Sequence, residues 1–225
     1  MTINYKTNNV DENMSIDAGF HIDDKIIVNA IEYANNVIST IPTVVFQAID
    51  FKAKSGMIGA LFCKGIENNS SGIVNPIEKG YPDLLPSIAK NATRDELMNY
   101  QIGLEVKCTA GNLKSKLILE NGEKRVQDLS GITWQAHHQE VNKVIALVWD
   151  FFENEKFEMK PIITGVFYSN ELTEQDWGKI SGTNGRNTKV SGIKASGKAK
   201  LGKGWIAILD EPEYLTKYKH ILKIK

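Results

Sequence analysis

Apolar residues return at helical spacing through the first third of the chain. From Asp23 or Asp24 onward, Ile26, Ile27, Ala30, Ile31, Ala34 and Ile38 fall on one side of an α-helix. An Asp stands ready as N-cap, and Pro42 stops the run. Two further helical stretches are read over about 44–54 and 57–66, although Val44, Val45 and Phe46 also suit a strand. Residues 68–72, Asn-Asn-Ser-Ser-Gly, form a turn cluster. Residues 1–22 are rich in Asn and Asp with little periodicity, and read as a loosely held arm.

The pattern then changes to strands. Gly103-Leu104-Glu105-Val106-Lys107-Cys108 alternates apolar and polar positions. Asn121-Gly122 suits a tight hairpin turn between the apolar groups at 117–119 and 126–129. Residues 133–141 are ambiguous and compatible with a helix. Val144–Phe152, VIALVWDFF, is apolar almost throughout, as a strand covered on both faces should be. After a charged linker, 162–168 reads as a second inner strand, and Trp205–Leu209 as a short third one. Helices first and central strands later predict an α/β fold: a mixed sheet flanked by helices.

At 225 residues the chain fits one large domain, read as a helical part (23–66), a core (80–170) and a basic part (177–225). The 42% apolar content supports a sizeable core. The 27 basic and 27 acidic residues cancel, yet they are unevenly placed. Residues 177–209 contain no Asp or Glu but hold Lys179, Arg186, Lys189, Lys194, Lys198, Lys200 and Lys203. Spaced by small polar residues, such cations can follow a phosphate backbone. No apolar run reaches membrane-spanning length and the N-terminus is polar, so a cytoplasmic protein is expected. Cys63 and Cys108 are the two cysteines; they form no zinc-type array and read as reduced thiols.

The candidate chemistry sits at Glu105-Val106-Lys107. Strand residues two apart share a face, so this carboxylate and this ammonium emerge side by side. Upstream, Pro82 precedes Asp83. Asp83 and Glu105 could together hold a hard divalent cation, with Lys107 close enough to stabilise developing negative charge. Pro82-Asp83, 21 intervening residues and Glu105-x-Lys107 resemble the PD-(D/E)xK nuclease superfamily, which includes type II restriction endonucleases. The resemblance implies a restriction-endonuclease-like sheet with Mg2+ bound by Asp83, Glu105 and the Val106 carbonyl. It also implies that Lys107 assists attack of water on a phosphodiester, leaving a 5′-phosphate and a 3′-hydroxyl. Many such families add a helix acid, for which Glu32, Glu67 and Glu78 are candidates.

Base or phosphate contacts are expected from Gln135, His138 and Gln139, and from Asn184, Arg186, Asn187 and Lys189 in the acid-free segment. Adjacent His137 and His138 point about 100° apart on a helix and make a poor shared metal site. The expected protein is a site-specific endonuclease of double-stranded DNA, acting as a homodimer on a symmetric site. A repair or junction-resolving nuclease of the same fold is the nearer alternative. A DNA-binding module without catalysis is the more distant one.

Overall fold

Residues 3–8, 15–110, 129–135, 142–153, 155, 158–179 and 190–219 are described by the computed structural model. At the N-terminus, β1 (Tyr5–Thr7) is followed by the hairpin of β2 (Ser15–Asp17) and β3 (His21–Asp23). The expected loose arm thus contributes three short strands, and Tyr5, Lys6 and Thr7 pair antiparallel with Leu209, Ile208 and Ala207. The partner lies some two hundred residues along the chain, so no local pattern could announce the pairing.

Helix α1 (Asp24–Thr40) begins where the periodicity places it, with the Asp23 side chain accepting from the Ile26 N–H at 2.7 Å. It buries Ile27, Ala30, Ile31, Ala34 and Ile38; covering each Ile contributes roughly 1.5–3 kcal/mol. The next two helices are divided differently from the expectation, into α2 (Thr43–Ala48) and α3 (Phe51–Asn69). Asp50 makes the break: its carboxylate caps α3 through the Ala53 N–H at 2.7 Å. Lys54 Nζ donates to the Ile49 carbonyl at 2.6 Å, closing the end of α2. Helices α1 and α3 cross closely at Gly65, where a Cβ would stand 2.7 Å from Ala30 Cα.

The chain then forms the hairpin of β4 (Gly72–Val74) and β5 (Leu84–Pro86), helix α4 (Arg94–Met98) and strand β6 (Glu105–Thr109). Strand β7 (Thr133–Gln135) replaces the start of the helix thought possible at 133–141. The long strands β8 (Val144–Phe152) and β9 (Lys160–Ser169) follow. Then come β10 (Val190–Gly192), α5 (Ala195–Lys203), β11 (Trp205–Leu209) and α6 (Pro212–Lys217). The hairpin expected around Asn121-Gly122 lies outside the described residues.

The fold is α/β. Five strands form a mixed central sheet in the order β1-β11-β9-β8-β6, with β6 parallel to β8 and the other pairs antiparallel. All nine residues of β8 are buried, Asp150 included, as its nearly continuous apolar run demands. Ile145, Leu147, Trp149 and Phe151 pack with α1 and α3 on one face. Val144, Ala146, Val148 and Phe152 pack with Leu201 of α5 and Tyr214 of α6 on the other. The register of β9 slips opposite Val148 and Trp149. There the Ile163 N–H donates to Asn35 Oδ1 at 3.1 Å, and the Ile163 carbonyl accepts from the Tyr5 hydroxyl at 2.5 Å. Asn35 in turn donates to Tyr5 at 2.7 Å. The buried backbone groups freed by the bulge are therefore satisfied from α1 and β1. Among the described residues, no helix is long and apolar enough to cross a membrane.

Candidate active site

Asp83 and Glu105 are brought together by one antiparallel bridge. Leu84 N–H donates to the Leu104 carbonyl at 3.0 Å, and Leu104 N–H to the Leu84 carbonyl at 2.9 Å. The residue before Leu84 and the residue after Leu104 are thereby set side by side. Their contacts are reciprocal: Val106 N–H donates to Asp83 Oδ2 at 2.8 Å, and Asp83 N–H to Glu105 Oε2 at 3.2 Å. Lys107 Nζ, two residues along β6, pairs with Glu105 Oε1. All three sequence candidates thus form one cluster.

Gly103 permits this approach. A Cβ there would lie 2.3 Å from the Leu84 carbonyl oxygen and 2.5 Å from Pro82 Cγ. On the other side, Asn75 N–H donates to the Asp83 carbonyl at 2.8 Å, and Asn75 Nδ2 to the carbonyls of Pro82 and Leu97 at 3.1 and 2.9 Å. The Tyr81–Pro82 peptide within this segment is cis.

The cluster lines a cavity of about 450 Å³ whose other walls are α3 and the segment 74–80. Helix α3 contributes Lys52, Ser55, Gly56, Gly59, Ala60 and Cys63. The spacing alternates three and one, which is a single helix face. That face is made of small side chains after Lys52, so the space beside the carboxylates stays open. The helical reading of 44–54 and 57–66 splits this face between two helices and does not single it out. The available signal was the pair Gly56 and Gly59 inside a helix, where each Gly costs about 1 kcal/mol relative to Ala.

Glu105 is only 2% exposed, and Asp83 is half-buried. Burial raises the Glu105 carboxyl to about 7, against the pull of Lys107 and with help from the adjacent Asp83. Burial also raises Asp83, opposed by Lys107 and by the Val106 N–H. Cys63, buried and near both acids, is held well above the usual thiol range by burial first and then by those charges. Burial likewise raises Cys108, so neither thiol is poised as a nucleophile.

These raised carboxyls set a pH dependence. An acid titrating higher in the folded state than in the unfolded chain binds more protons when folded, so its stabilising contribution is complete below the unfolded value. It is lost as pH rises through the folded one. In metal-free buffer, stability should fall by roughly 1–3 kcal/mol between pH about 5 and about 8 through this pair. Glu105→Gln should flatten the trend. Thermal unfolding with a chelator, at both pH values, provides the check, and parallel curves for the two proteins would contradict the assignment.

The remaining candidates are placed as follows. Glu32 is exposed on α1, and Glu78 is exposed in the segment 74–80. Glu67 pairs with Lys64 and accepts from the Val74 N–H at 2.9 Å, so it fastens β4 to α3. None of the three lines the cavity. A further buried acid, Asp150 on β8, accepts from the Tyr214 hydroxyl at 2.9 Å and does not line the cavity. Gln135 ends β7 and faces Val190 of β10 in register. His138, Gln139, Asn184, Arg186, Asn187 and Lys189 lie outside the described residues. Within the acid-free segment, Lys200 bonds Asp176 at 2.6 Å and Lys194 the Gln175 carbonyl at 3.0 Å. Those two lysines anchor α5 to the short turn Glu174–Asp176 just before the segment.

No protein-family model, curated protein or solved structure matches the chain.

Proposed function

We propose that the protein is a magnesium-dependent, site-specific endonuclease of double-stranded DNA, with Asp83, Glu105 and Lys107 as its catalytic residues. The observation that carries this reading is the pairing of a buried and a half-buried carboxylate, locked by reciprocal backbone hydrogen bonds, beside one lysine at the wall of an open cavity. Both acids lose hydration, and Glu105 also feels the charge of Asp83, which their raised titration reflects. A divalent cation would offset both penalties.

The donor set fits magnesium. Carboxylate oxygens are hard ligands, each keeps a lone pair beyond the hydrogen bond that it accepts, and magnesium needs only one or two carboxylates. Among the described residues, no group of three or more His, Cys, Asp or Glu is placed to hold a metal. The Val106 carbonyl, water and substrate phosphate are the proposed remaining ligands. When bound, magnesium would supply Lewis-acid activation of water and of the phosphate.

The chain's own residues do the rest. Asp83 and Glu105 bind and orient through the Leu84–Leu104 bridge. Lys107, held by Glu105, presents a positive charge where negative charge develops on the phosphate oxygens. Cleavage of both strands of a symmetric site is most simply achieved by a homodimer carrying two such centres. The products would carry a 5′-phosphate and a 3′-hydroxyl.

The test is incubation of the purified protein with plasmid and phage DNA, with magnesium and then with a chelator. Discrete fragments that ligate without prior phosphorylation are expected, and the chelator should abolish them. A smear would mean a non-specific nuclease, and cutting confined to branched DNA a junction-resolving one. Binding without cleavage in any divalent metal would leave a binding module and overturn the catalytic reading.

A further inference from the structure

We infer that Lys52 and Lys79 are phosphate-positioning residues, gripping the substrate strand from two walls of the cavity that holds Asp83, Glu105 and Lys107. This rests on the nuclease reading and extends it to the way the strand is held. Both lysines line the same cavity as the acidic pair, Lys52 from α3 and Lys79 from the segment 74–80. Neither takes part in an ion pair among the described residues.

Each is placed at some cost to folding. Lys52 is the second residue of a helix of 19, where the aligned peptide dipoles already present positive charge. A cation is slightly unfavourable there in the free protein, whereas a phosphate is attracted by both. Along the α3 wall between Lys52 and Cys63 stand only small side chains. A Cβ added at Gly56 would meet nothing within 4 Å, so the helix face one turn from Lys52 is open.

Lys79 has φ 64°, a left-handed conformation costing about 1 kcal/mol for a residue with a side chain. Its segment is tied to the catalytic acid. Asn75 N–H holds the Asp83 carbonyl at 2.8 Å, Asn75 Oδ1 accepts from the Ile77 N–H at 3.0 Å, and Gly80 N–H donates to the Ile77 carbonyl at 2.8 Å. Lys79 thus rides on a braced turn in fixed relation to Asp83, not on a free loop.

Charge completes the case. The cavity is lined by two acids and three lysines. With a divalent cation on the acids its balance becomes strongly positive, which suits a polyanion with phosphates on both sides of the scissile one. A substrate carrying one isolated phosphate would leave Lys52 or Lys79 without work.

The full-length protein, Lys52→Gln, Lys79→Gln and the double variant would be compared in magnesium-dependent plasmid cleavage. Binding of a fluorescein-labelled duplex would be titrated against salt with calcium replacing magnesium. Each single variant should raise KM and duplex Kd roughly five- to tenfold, leave kcat within about twofold, and lower the salt slope by about one. Arg at either position should rescue binding. Lys25→Gln, at an exposed position of α1, should change nothing. Unaltered KM and salt slope in a protein that cuts DNA would overturn the grip and leave the nuclease standing. Binding without cutting would sink the nuclease, and the salt slopes would then decide the grip alone. A wild-type protein that neither binds nor cuts would remove both.

Discussion

Glu105→Gln is expected to reduce magnesium-dependent DNA cleavage by about 10³-fold or more, with duplex affinity kept within about threefold. The amide preserves the shape of the side chain but removes the charge that a cation would need. It also conflicts with its neighbours. Glu105 accepts from Lys107 Nζ on one oxygen and from the Asp83 N–H on the other. A glutamine must turn its NH2 toward one of these donors, so one contact becomes donor against donor. The loss corresponds to ~4 kcal/mol of transition-state stabilisation. Lys107→Ala should produce a deficit of similar order, because nothing else on β6 can place a cation there. Single-turnover nicking of supercoiled plasmid, alongside duplex binding, measures both. A Glu105→Gln protein that nicks at the wild-type rate would show that the acids are merely structural.

Gly103→Ala should destabilise the protein by about 2–4 kcal/mol and disable the site at temperatures where the chain is still folded. The new methyl would overlap the Leu84 carbonyl oxygen at 2.3 Å and Pro82 Cγ at 2.5 Å. Backbone lies on one side and a rigid ring on the other, so neither can swing away. Relief requires opening the Leu84–Leu104 bridge, and that bridge is what sets Asp83 against Glu105. The expected fall in Tm is roughly 5–15 °C. Gly56→Ala is the contrast, since its Cβ meets open space and its helix gains about 0.5–1 kcal/mol. Should Gly103→Ala melt like the wild type and cleave at full rate, the bridge does not hold the acids in place.

Parts of this architecture could be read directly from residue order. The start of α1 was visible as Asp23 followed by Ile27, Ile31 and Ile38, because capping and one-sided burial both act within a few residues. The inner strands β8, β9 and β11 were visible as apolar runs too short for membrane spans and too uniform for a surface. Glu105 and Lys107 could be assigned a common side from alternation alone, and they do meet. Other features left no local trace. The break between α2 and α3 depends on Asp50 and Lys54 competing for backbone groups, in a stretch whose periodicity runs straight through. Tyr5 reads as part of a polar arm until it meets the bulge at Ile163.

The chain order by itself determined α1, the inner strands β8, β9 and β11, and the shared strand face of Glu105 and Lys107. Those properties follow from torsional preference and periodicity, which act between near neighbours. Long-range packing decided the rest: Asp83 against Glu105, the small face of α3 opening beside them, and Lys52 and Lys79 on the cavity walls. Contacts between residues far apart in the chain form only when burial of the whole sheet offsets the entropy of bringing them together. Even the proton affinity of Glu105 belongs to that second level, because desolvation is a property of the folded surroundings and not of the residue.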